Sequence, residues 1–406
     1  MTRDGYLLFG TRVARMFAYG FLSVVLALYL DQAGLSEAQI GLLLTLTLIG
    51  DTAISLWITT NADRIGRRRM LIAGAGLMLF AGVLFALTHH FILLLLAATI
   101  GVISPSGYEV GPFLPIEQAS LTQLVPGERR TQVFAWYNLV GSFATAAGAL
   151  CGGGLAQLLQ GAGVTALDSY RAVVVGYAAM GVILGLLFSR LSPHIEALST
   201  GGQPVAGRLG LHQSRRVVFK LAALFSLDAF AGGLVVQTFF AYWFHSRFGV
   251  EPGVLGAIFF GANILAGISA LSAARIASKI GLINTMVFTH IPSNVLLMLV
   301  PLMPTLALAV VALLLRFSIS QMDVPTRQSY TMAVVAPDER SAAAGVTGIA
   351  RTIGASLSPV IAGPLLGITA LASVPFVLAG GLKIVYDLLL YRSFIGIKPP
   401  EEMLRT

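Results

Sequence analysis

Long apolar stretches follow one another along this chain, separated by short charged or Gly/Pro-rich breaks. Each stretch is close to the roughly 20 residues that a helix needs to cross the hydrocarbon core of a bilayer. Charged residues make up only 11% of the 406 residues, against about 25% in a soluble globular domain. So little charge cannot cover a soluble protein of this size, whereas lipid needs no polar covering. The sequence therefore predicts an all-α integral membrane protein without a sizeable soluble domain.

The apolar runs predict twelve spans, at residues 6–30, 38–60, 70–88, 91–118, 131–158, 171–190, 217–244, 253–274, 282–303, 305–326, 342–367 and 371–391. Residues 192–216, rich in Pro, Gly, Ser and Arg, are typical of a linker, so we predict two six-span bundles at 1–191 and 217–406. The first span contains Arg12 and Arg15 and is not a cleaved signal. Cys151 is the only cysteine, which excludes disulfides and cysteine-rich metal sites.

The basic residues are distributed unevenly over the predicted loops. With twelve spans both ends lie on one side, and 21 Lys and Arg residues fall on that side, against two on the other. Basic residues are enriched in cytoplasmic loops, so both termini are predicted to be cytoplasmic. The basic pI of about 9.8 follows from this topology and does not indicate a nucleic-acid partner.

An internal repeat relates the two halves. Two sets of residues recur in order at nearly constant offsets: Gly34, Gly41 and Gly66 at Gly249, Gly256 and Gly281, and Pro115, Gln118, Arg130 and Gly153 at Pro325, Gln328, Arg340 and Gly363. Equivalent places in the span pattern make a duplication the simplest explanation.

A short basic turn between spans two and three carries a family resemblance. Its residues are Asp63, Arg64, Ile65, Gly66, Arg67 and Arg68. This run resembles the signature loop of the major facilitator superfamily, and Ser278–Gly281 is a weaker copy in the second half. Thr59 stands where the signature has glycine. Gly34–Ser36 and Pro126–Arg130 are similar to other loops of the superfamily, so the resemblance extends over essentially the whole chain.

The resemblance implies two six-helix bundles that move a small-molecule substrate by alternating access. It implies a cell (plasma or inner) membrane protein that functions as a monomer, without a cofactor and without enzymatic activity. In that fold, spans one, four, seven and ten line a central cavity, and Asp63 holds span eleven in one state of the cycle. Gly148–Gly153 in span five resembles an exporter and antiporter motif, with alanine in place of its proline. Close helix packing through small residues is the alternative.

Ionisable residues inside the spans are the main functional signal, because each costs a few kcal/mol or more unless it has a partner or lines a watery path. They are Asp51, Glu109, Glu117, Asp228, Arg316, Asp323, Arg351, Lys383 and Asp387. Lys383 and Asp387 are four apart and are predicted to pair within one helix. His290 has no acidic or cysteine neighbour at ligand spacing, and no metal site is predicted.

Helical spacing and hairpin geometry suggest pairings among these charges. Arg316, Ser320, Asp323 and Arg327 fall on one helical stripe. Folding spans ten and eleven into a hairpin brings Asp323 near Arg351, and folding spans one and two brings Arg15 near Asp51. Each pair is either a structural bridge or a switch that opens during transport.

Span four is the most irregular, with three prolines and two glycines around Glu109 and Glu117. Irregular backbone at membrane depth is tolerated mainly where it is buried or lines a cavity, so we predict a binding site here. Glu109 either carries a proton or caps the broken helix ends. Glu117 and Arg327 occupy equivalent repeat positions with opposite charge and are predicted to meet near the cytoplasmic end.

No nucleotide-binding or nucleophile motif is present, so energy is expected from a gradient. We predict proton-coupled efflux of a small organic compound, with Asp51, Glu109 and Asp323 as candidate proton carriers. The alternative is import of an anionic metabolite bound by Arg316 and Arg351. A non-transporting receptor or an intramembrane enzyme is a third class, without a motif to support it.

Overall fold

The computed structural model describes residues 2–125, 127–196, 211–336 and 339–397, without the side chains of 127–132 and 341. Within these ranges the chain is built from helices and contains no strand. Among these residues, ten segments are long and apolar enough to cross a membrane when the helices on either side of a short break are counted together, and span one, a pair bent by 44°, makes eleven. The remaining predicted span, span four, is divided between two short helices.

Seven of the predicted spans are continuous helices in the described residues. They are Glu37–Ile65 (span two), Arg67–Leu87 (three), Gly127–Gly161 (five), Ala166–Ser189 (six), Pro252–Ile280 (eight), Leu282–Leu299 (nine) and Val374–Phe394 (twelve). Short 3-10 turns lie at Pro193–Ile195, Val300–Leu302 and Thr369–Leu371. Local signals set several ends: Ser36 and Gln39 form a reciprocal capping box at the start of span two.

The other five spans are broken in the described part of the chain. Their helices are Arg3–Ser23 and Leu26–Gln32 (one), Phe91–Ile100 and Phe113–Leu124 (four), Arg215–Gly233 and Gln237–Phe248 (seven), Leu306–Ile319 and Asp323–Ala333 (ten), and Arg340–Ser356 and Pro359–Gly367 (eleven). Spans one, four, seven and ten are the four that the resemblance assigns to a central cavity. All four spans of the predicted transport path are therefore broken, and span eleven is the fifth broken span.

Proline and glycine explain most of these breaks. Pro325 lies in the first turn of the second helix of span ten, where its ring excludes a helical carbonyl four residues earlier, at Gln321. Pro359 opens the second helix of span eleven. In span four, Gly107 and Gly111 adopt positive φ angles of 71° and 84°, a conformation that other residues rarely tolerate.

The repeat is visible in the backbone. Gly34 and its repeat equivalent Gly249 both have positive φ, and so do Gly66 and Gly281. Gly66 and Gly281 each donate a 2.9 Å hydrogen bond to a carbonyl four residues earlier and then turn the chain into the next helix. The two halves therefore share the same turn chemistry at the same topological positions.

By contacts, the described chain falls into two compact units. Unit 1 is residues 1–200 with 236–264, and unit 2 is residues 201–235 with 265–406. The second helix of span seven and the start of span eight thus pack with the first half of the sequence. Within the predicted linker 192–216, residues 197–210 lie outside the described part.

Candidate functional site

Unit 1 contains a buried cluster of four charges, the first charge cluster, formed by Arg12, Arg15, Glu109 and Glu117. Arg15 is fully buried, and it donates to Glu117 at 2.7 and 2.8 Å and to Glu109 at 2.9 Å. Arg12 pairs with Glu109. Two arginines thus match two glutamates, which offsets the cost of burying each charge.

Hydroxyl groups complete the first charge cluster. Thr11 donates to Glu117 at 2.7 Å, and Tyr137 of span five donates to the same carboxylate. Sequence reasoning missed Thr11 and Tyr137. The one available signal was that Thr11 lies four residues before Arg15, which places both on the same face of the helix. Arg15 was predicted to pair with Asp51. That prediction was wrong, because Glu109 and Glu117 occupy the guanidinium.

Four carbonyl groups of the broken segment of span four, residues 101–112, accept hydrogen bonds from side chains. Tyr177 donates to Val102, Thr238 to Pro105 at 2.6 Å, Ser104 to Tyr108 at 2.7 Å and Tyr19 to Val110 at 3.0 Å. Glu109 can only accept hydrogen bonds when ionised, and its contacts are with Arg12 and Arg15. Its described partners are therefore side-chain cations and not the ends of the broken helix.

Asp51 in span two differs from the other acids of unit 1. It is buried, and its contacts are the hydroxyl of Ser55 at 3.4 Å and the backbone N–H of Gly111 in the broken segment. Among the described residues no Lys, Arg or His lies within 4.0 Å of it. A carboxylate buried without a counter-charge carries a large desolvation penalty when ionised, and binding a proton removes that penalty.

Unit 2 contains the second charge cluster, centred on Asp228 of span seven. Asp228 contacts Lys383 at 2.5 Å, Arg327 at 3.1 Å and Arg351 at 3.6 Å. Arg327 also donates to Asp323 at 2.8 Å, within the second helix of span ten. One buried carboxylate of span seven therefore holds cations from spans ten, eleven and twelve.

The structure gives three predicted pairs different partners. Arg351 contacts Asp228 and not Asp323, because Arg327 already occupies Asp323 one helical turn away. Lys383 likewise contacts Asp228, and Asp387 accepts from His290 at 2.9 Å and from Asn294 at 3.1 Å. Glu117 and Arg327 each have their described partners inside their own unit.

Span ten also differs from the single stripe that was predicted. The break at residues 320–322 separates Arg316 and Ser320 from Asp323 and Arg327, so the four residues do not share one continuous helix face. The prediction overlooked Pro325. The guanidinium of Arg316 lies over the ring of Phe317, 5.0 Å from its centroid.

The signature turn between spans two and three is built around Arg67. Its guanidinium contacts Asp63 at 2.7 Å and the carbonyl of Ile195 at 3.1 Å, and it donates to Gln123. Gly66, with φ of 118°, forms the turn itself. Arg68 donates to the carbonyl of Ser189, whereas Arg64 is exposed. Arg67 therefore ties this turn to span four and to the segment after span six.

Two carboxylates that sequence reasoning missed cap helices next to the loops. Glu196 accepts the backbone N–H groups of Arg67 and Arg68 at the start of span three, at 2.6 and 3.3 Å. Glu339 accepts those of His212, Gln213 and Ser214 before span seven. Burial alone would raise the pKa of Glu339, but a hydrogen bond with the Ser214 side chain and these backbone hydrogen bonds outweigh it and lower the pKa to about 2.

The sequence profile of the Major Facilitator Superfamily matches residues 8–359. The chain belongs to the major facilitator superfamily. It is also 30% identical over 426 residues to the uncharacterized membrane protein YJR124C of Saccharomyces cerevisiae, covering 98% of this chain and 95% of that protein. The chain is therefore a multi-pass membrane protein with the transporter fold of this superfamily.

Two further similarities are more distant. The quinolone resistance protein NorA of Staphylococcus aureus (strain MRSA252) is 24% identical over 252 residues, covering 59% of this chain and 61% of NorA. A bacterial homolog to the human lysosomal transporter Spinster, solved in an inward-facing and occupied conformation, superimposes with a TM-score of 0.73. At 16% identity over 97% of both chains, this similarity is evidence of the superfamily fold alone.

The glycine-rich motif of span five, which resembles a motif of superfamily exporters, is a close-packing surface. A Cβ atom at Gly148 or Gly152 would overlap the carbonyl oxygens of Phe17 and Phe21 in span one. A Cβ atom at Gly153 would overlap the carbonyl oxygen of Pro252 in span eight. Glycine is thus required here for helix contact, which is the packing alternative raised by the sequence.

We expect Gly152→Ala to destabilise the protein by roughly 1–3 kcal/mol, because the new methyl group has to displace the backbone of span one. Gly154→Ala is the matched control, since nothing lies within 4 Å of a Cβ atom at that position. The control should be neutral or stabilising, by up to about 1 kcal/mol. Thermal unfolding in detergent checks both, and equal effects would contradict close packing at Gly152.

Proposed function

We propose that this chain is a proton-coupled secondary transporter that exports a small organic compound by alternating access. The observation that carries the proposal is Asp51, a buried carboxylate of span two with no cation within 4.0 Å among the described residues. The first charge cluster instead holds its acids in ion pairs. Asp51 is therefore the acid of unit 1 best suited to bind and release a proton.

The position of Asp51 supports a coupling role. Gly50 beside it lets the backbone of span four approach, since a Cβ atom there would overlap the carbonyl oxygen of Thr99. Asp51 also meets the backbone of Gly111 in the broken segment. A change of charge at Asp51 thus acts directly on the irregular part of span four, which also carries Glu109.

Direction and location are part of the proposal. The name of NorA, a quinolone resistance protein, supports efflux. The distribution of basic residues supports cytoplasmic termini in a plasma or inner membrane. We further propose that the monomer is the functional form.

Import of an anionic metabolite is the second candidate. Arg351 favours it, because 35% of its side chain is exposed while Arg327 and Lys383 beside it are buried. The Nη1 atom of Arg351 makes no hydrogen bond to a described residue, so it remains a donor for a carboxylate or phosphate. In this alternative, Arg351 and Arg316 bind the substrate and Asp51 has no coupling role.

We expect Asp51→Asn to abolish uphill transport driven by a pH gradient while retaining substrate exchange, because only the proton-binding group is removed. The assay uses reconstituted vesicles and a fluorescent quinolone as the first probe, followed by a panel of organic anions. Asp168→Asn, at an acid with a half-exposed side chain, is the matched control.

Three results would decide against parts of the proposal. Wild-type transport that ignores the pH gradient would overturn proton coupling. Coupled transport by both the wild type and Asp51→Asn would remove Asp51 from the path. Uptake of an organic anion that is lost in Arg351→Gln, without quinolone transport, would favour the importer.

A further inference from the structure

His290 of span nine lies between two buried carboxylates of unit 2. Its Nδ1 atom is 2.9 Å from Oδ1 of Asp387 in span twelve, and its Nε2 atom is 4.0 Å from Oδ1 of Asp228 in span seven. The ring of Tyr386 packs edge-on against the imidazole, with centroids 6.1 Å apart. The side chains of His290, Asp387 and Asp228 are each at least nine-tenths buried.

The charges around His290 balance without it. In the second charge cluster and its extension to Asp387, three carboxylates face three permanent cations, Lys383, Arg327 and Arg351. These cations contact Asp228 and Asp323, whereas Asp387 has no Lys or Arg within 4.0 Å among the described residues. Neutral His290 therefore leaves the group at zero net charge, and a proton on His290 raises it by one.

Both nitrogen atoms of the imidazole face acids, which suits a group that gains and loses a proton. A neutral ring has one N–H and one lone pair, so with Nδ1 donating to Asp387 the lone pair of Nε2 points toward Asp228. A protonated ring donates from both nitrogen atoms. An imidazole with a purely structural role needs only one fixed N–H donor, here Nδ1 to Asp387. The carboxylate of Asp228 near Nε2 adds nothing to that role.

We propose that His290 is a second proton carrier, one that binds the coupling proton at Nε2 and connects Asp387 to Asp228. The inference rests on the proposed proton-coupled function and adds to it a residue in the second unit. A proton entering from the aqueous side binds the Nε2 lone pair, and the resulting imidazolium keeps its hydrogen bond to Asp387 and places a positive charge 4.0 Å from Oδ1 of Asp228. When the proton leaves from Nε2, the neutral ring keeps its hydrogen bond to Asp387, so no other bond is made or broken.

Proton binding at His290 has a structural consequence, because Asp228 holds the second charge cluster together. An imidazolium beside Asp228 competes with Lys383, Arg327 and Arg351 for the same carboxylate oxygens. Arg327 retains Asp323, but the other two cations have no second acid within 4.0 Å among the described residues. Proton uptake therefore weakens the links from span seven to spans eleven and twelve.

Other ionisable groups surround His290 and share its electrostatic environment. Span nine packs against span twelve and both helices of span ten. These elements contribute Lys383, Tyr386, Asp387, Tyr391 and Arg392 from span twelve, and Arg316, Asp323, Arg327 and Tyr330 from span ten. Asp228 and Arg351 come from spans seven and eleven. Imidazole is the side chain among these that most often serves as a proton shuttle in proteins.

The first test measures transport in reconstituted vesicles with a fluorescent quinolone as probe. Glutamine keeps a donor for Asp387 but cannot bind a proton. His290→Gln should therefore accumulate at least tenfold less quinolone than the wild type under a pH gradient and should retain quinolone exchange. His245→Gln is the matched control, because the ring of His245 bonds a backbone carbonyl of unit 1, that of Val250, and belongs to neither charge cluster. It should keep both activities.

The second test measures proton binding without any substrate, by infrared difference spectra between pH 5 and pH 8. The test uses a chain whose other five histidines are glutamine, which leaves His290 as the single histidine. An imidazole band in that chain should disappear when His290→Gln is added. Absence of the band from the single-histidine chain would overturn the proposal.

The outcomes separate this inference from the proposed function. Gradient-driven transport by both wild type and His290→Gln overturns the role of His290 alone. Wild-type transport that ignores the gradient overturns the proposed coupling, and the infrared band then still decides whether His290 binds a proton. Loss of quinolone exchange together with coupling in His290→Gln assigns the residue a structural role and also overturns the inference.

Discussion

Asp228→Asn should destabilise the protein by about 3–5 kcal/mol, the range measured when one partner of a buried ion pair is removed. Asp228 is the shared acid of Lys383, Arg327 and Arg351, and asparagine leaves these cations with one negative charge too few. Arg327 keeps Asp323, so the loss concentrates on the cations of spans eleven and twelve. We expect low membrane yield and a lower unfolding temperature in detergent.

Asp168→Asn serves as the matched control for this substitution. Asp168 pairs with Arg171 near the surface, and 51% of its side chain is exposed, so its removal should cost no more than about 1 kcal/mol. A second variant, Asp228→Asn with Lys383→Gln, removes one charge of each sign and should recover part of the yield. Equal stability of Asp228→Asn and Asp168→Asn would contradict a central role for Asp228.

The span pattern and the break in span four could be predicted because they depend on local chemistry. Apolar length determines where a helix can cross lipid, and Pro and Gly determine where it cannot continue. The irregularity of span four was predicted from Pro105, Gly107, Gly111 and Pro112, and the structure confirms it. The break in span ten had the same kind of signal in Pro325, but the prediction of a single polar stripe assumed a continuous helix.

The charge partners could not be predicted because they depend on how helices are arranged in three dimensions. Folding two neighbouring spans into a hairpin assumes that partners come from adjacent helices. Asp387 instead meets His290 from span nine, three spans earlier, and Asp228 meets Lys383 from span twelve. These contacts join helices that are far apart in sequence, and spacing along one chain carries no information about them.

Each cluster still follows a rule that the sequence could have suggested, which is local neutrality. The first charge cluster pairs two arginines with two glutamates, and the second matches three cations with three acids. Burial of an uncompensated charge is too costly to persist, so counting charges within each unit identifies the exceptions. Asp51 in unit 1 and His290 in unit 2 are ionisable groups that these balances do not include, as is Arg316, and the first two are the groups proposed to carry protons.

The same reasoning predicts a large effect at Arg15 and a way to reverse it. Arg15→Met should cost about 3–5 kcal/mol, because Glu117 loses its cation while fully buried. Glu109 keeps Arg12 and should be less affected. Arg190→Met, at an exposed residue that ends span six, is the control and should change stability by no more than about 0.5 kcal/mol.

Adding Glu117→Gln to Arg15→Met should restore much of the lost stability, since the amide can still bond Thr11 and Tyr137 while no unpaired charge remains. We expect a coupling energy of roughly 1–3 kcal/mol from the double-mutant cycle, measured by unfolding in detergent. Additive losses would show that Arg15 and Glu117 do not depend on each other. If the double variant folds and still fails to drive quinolone transport in vesicles, the pair has a role in the transport cycle beyond charge neutralisation, because its structural contribution has then been replaced.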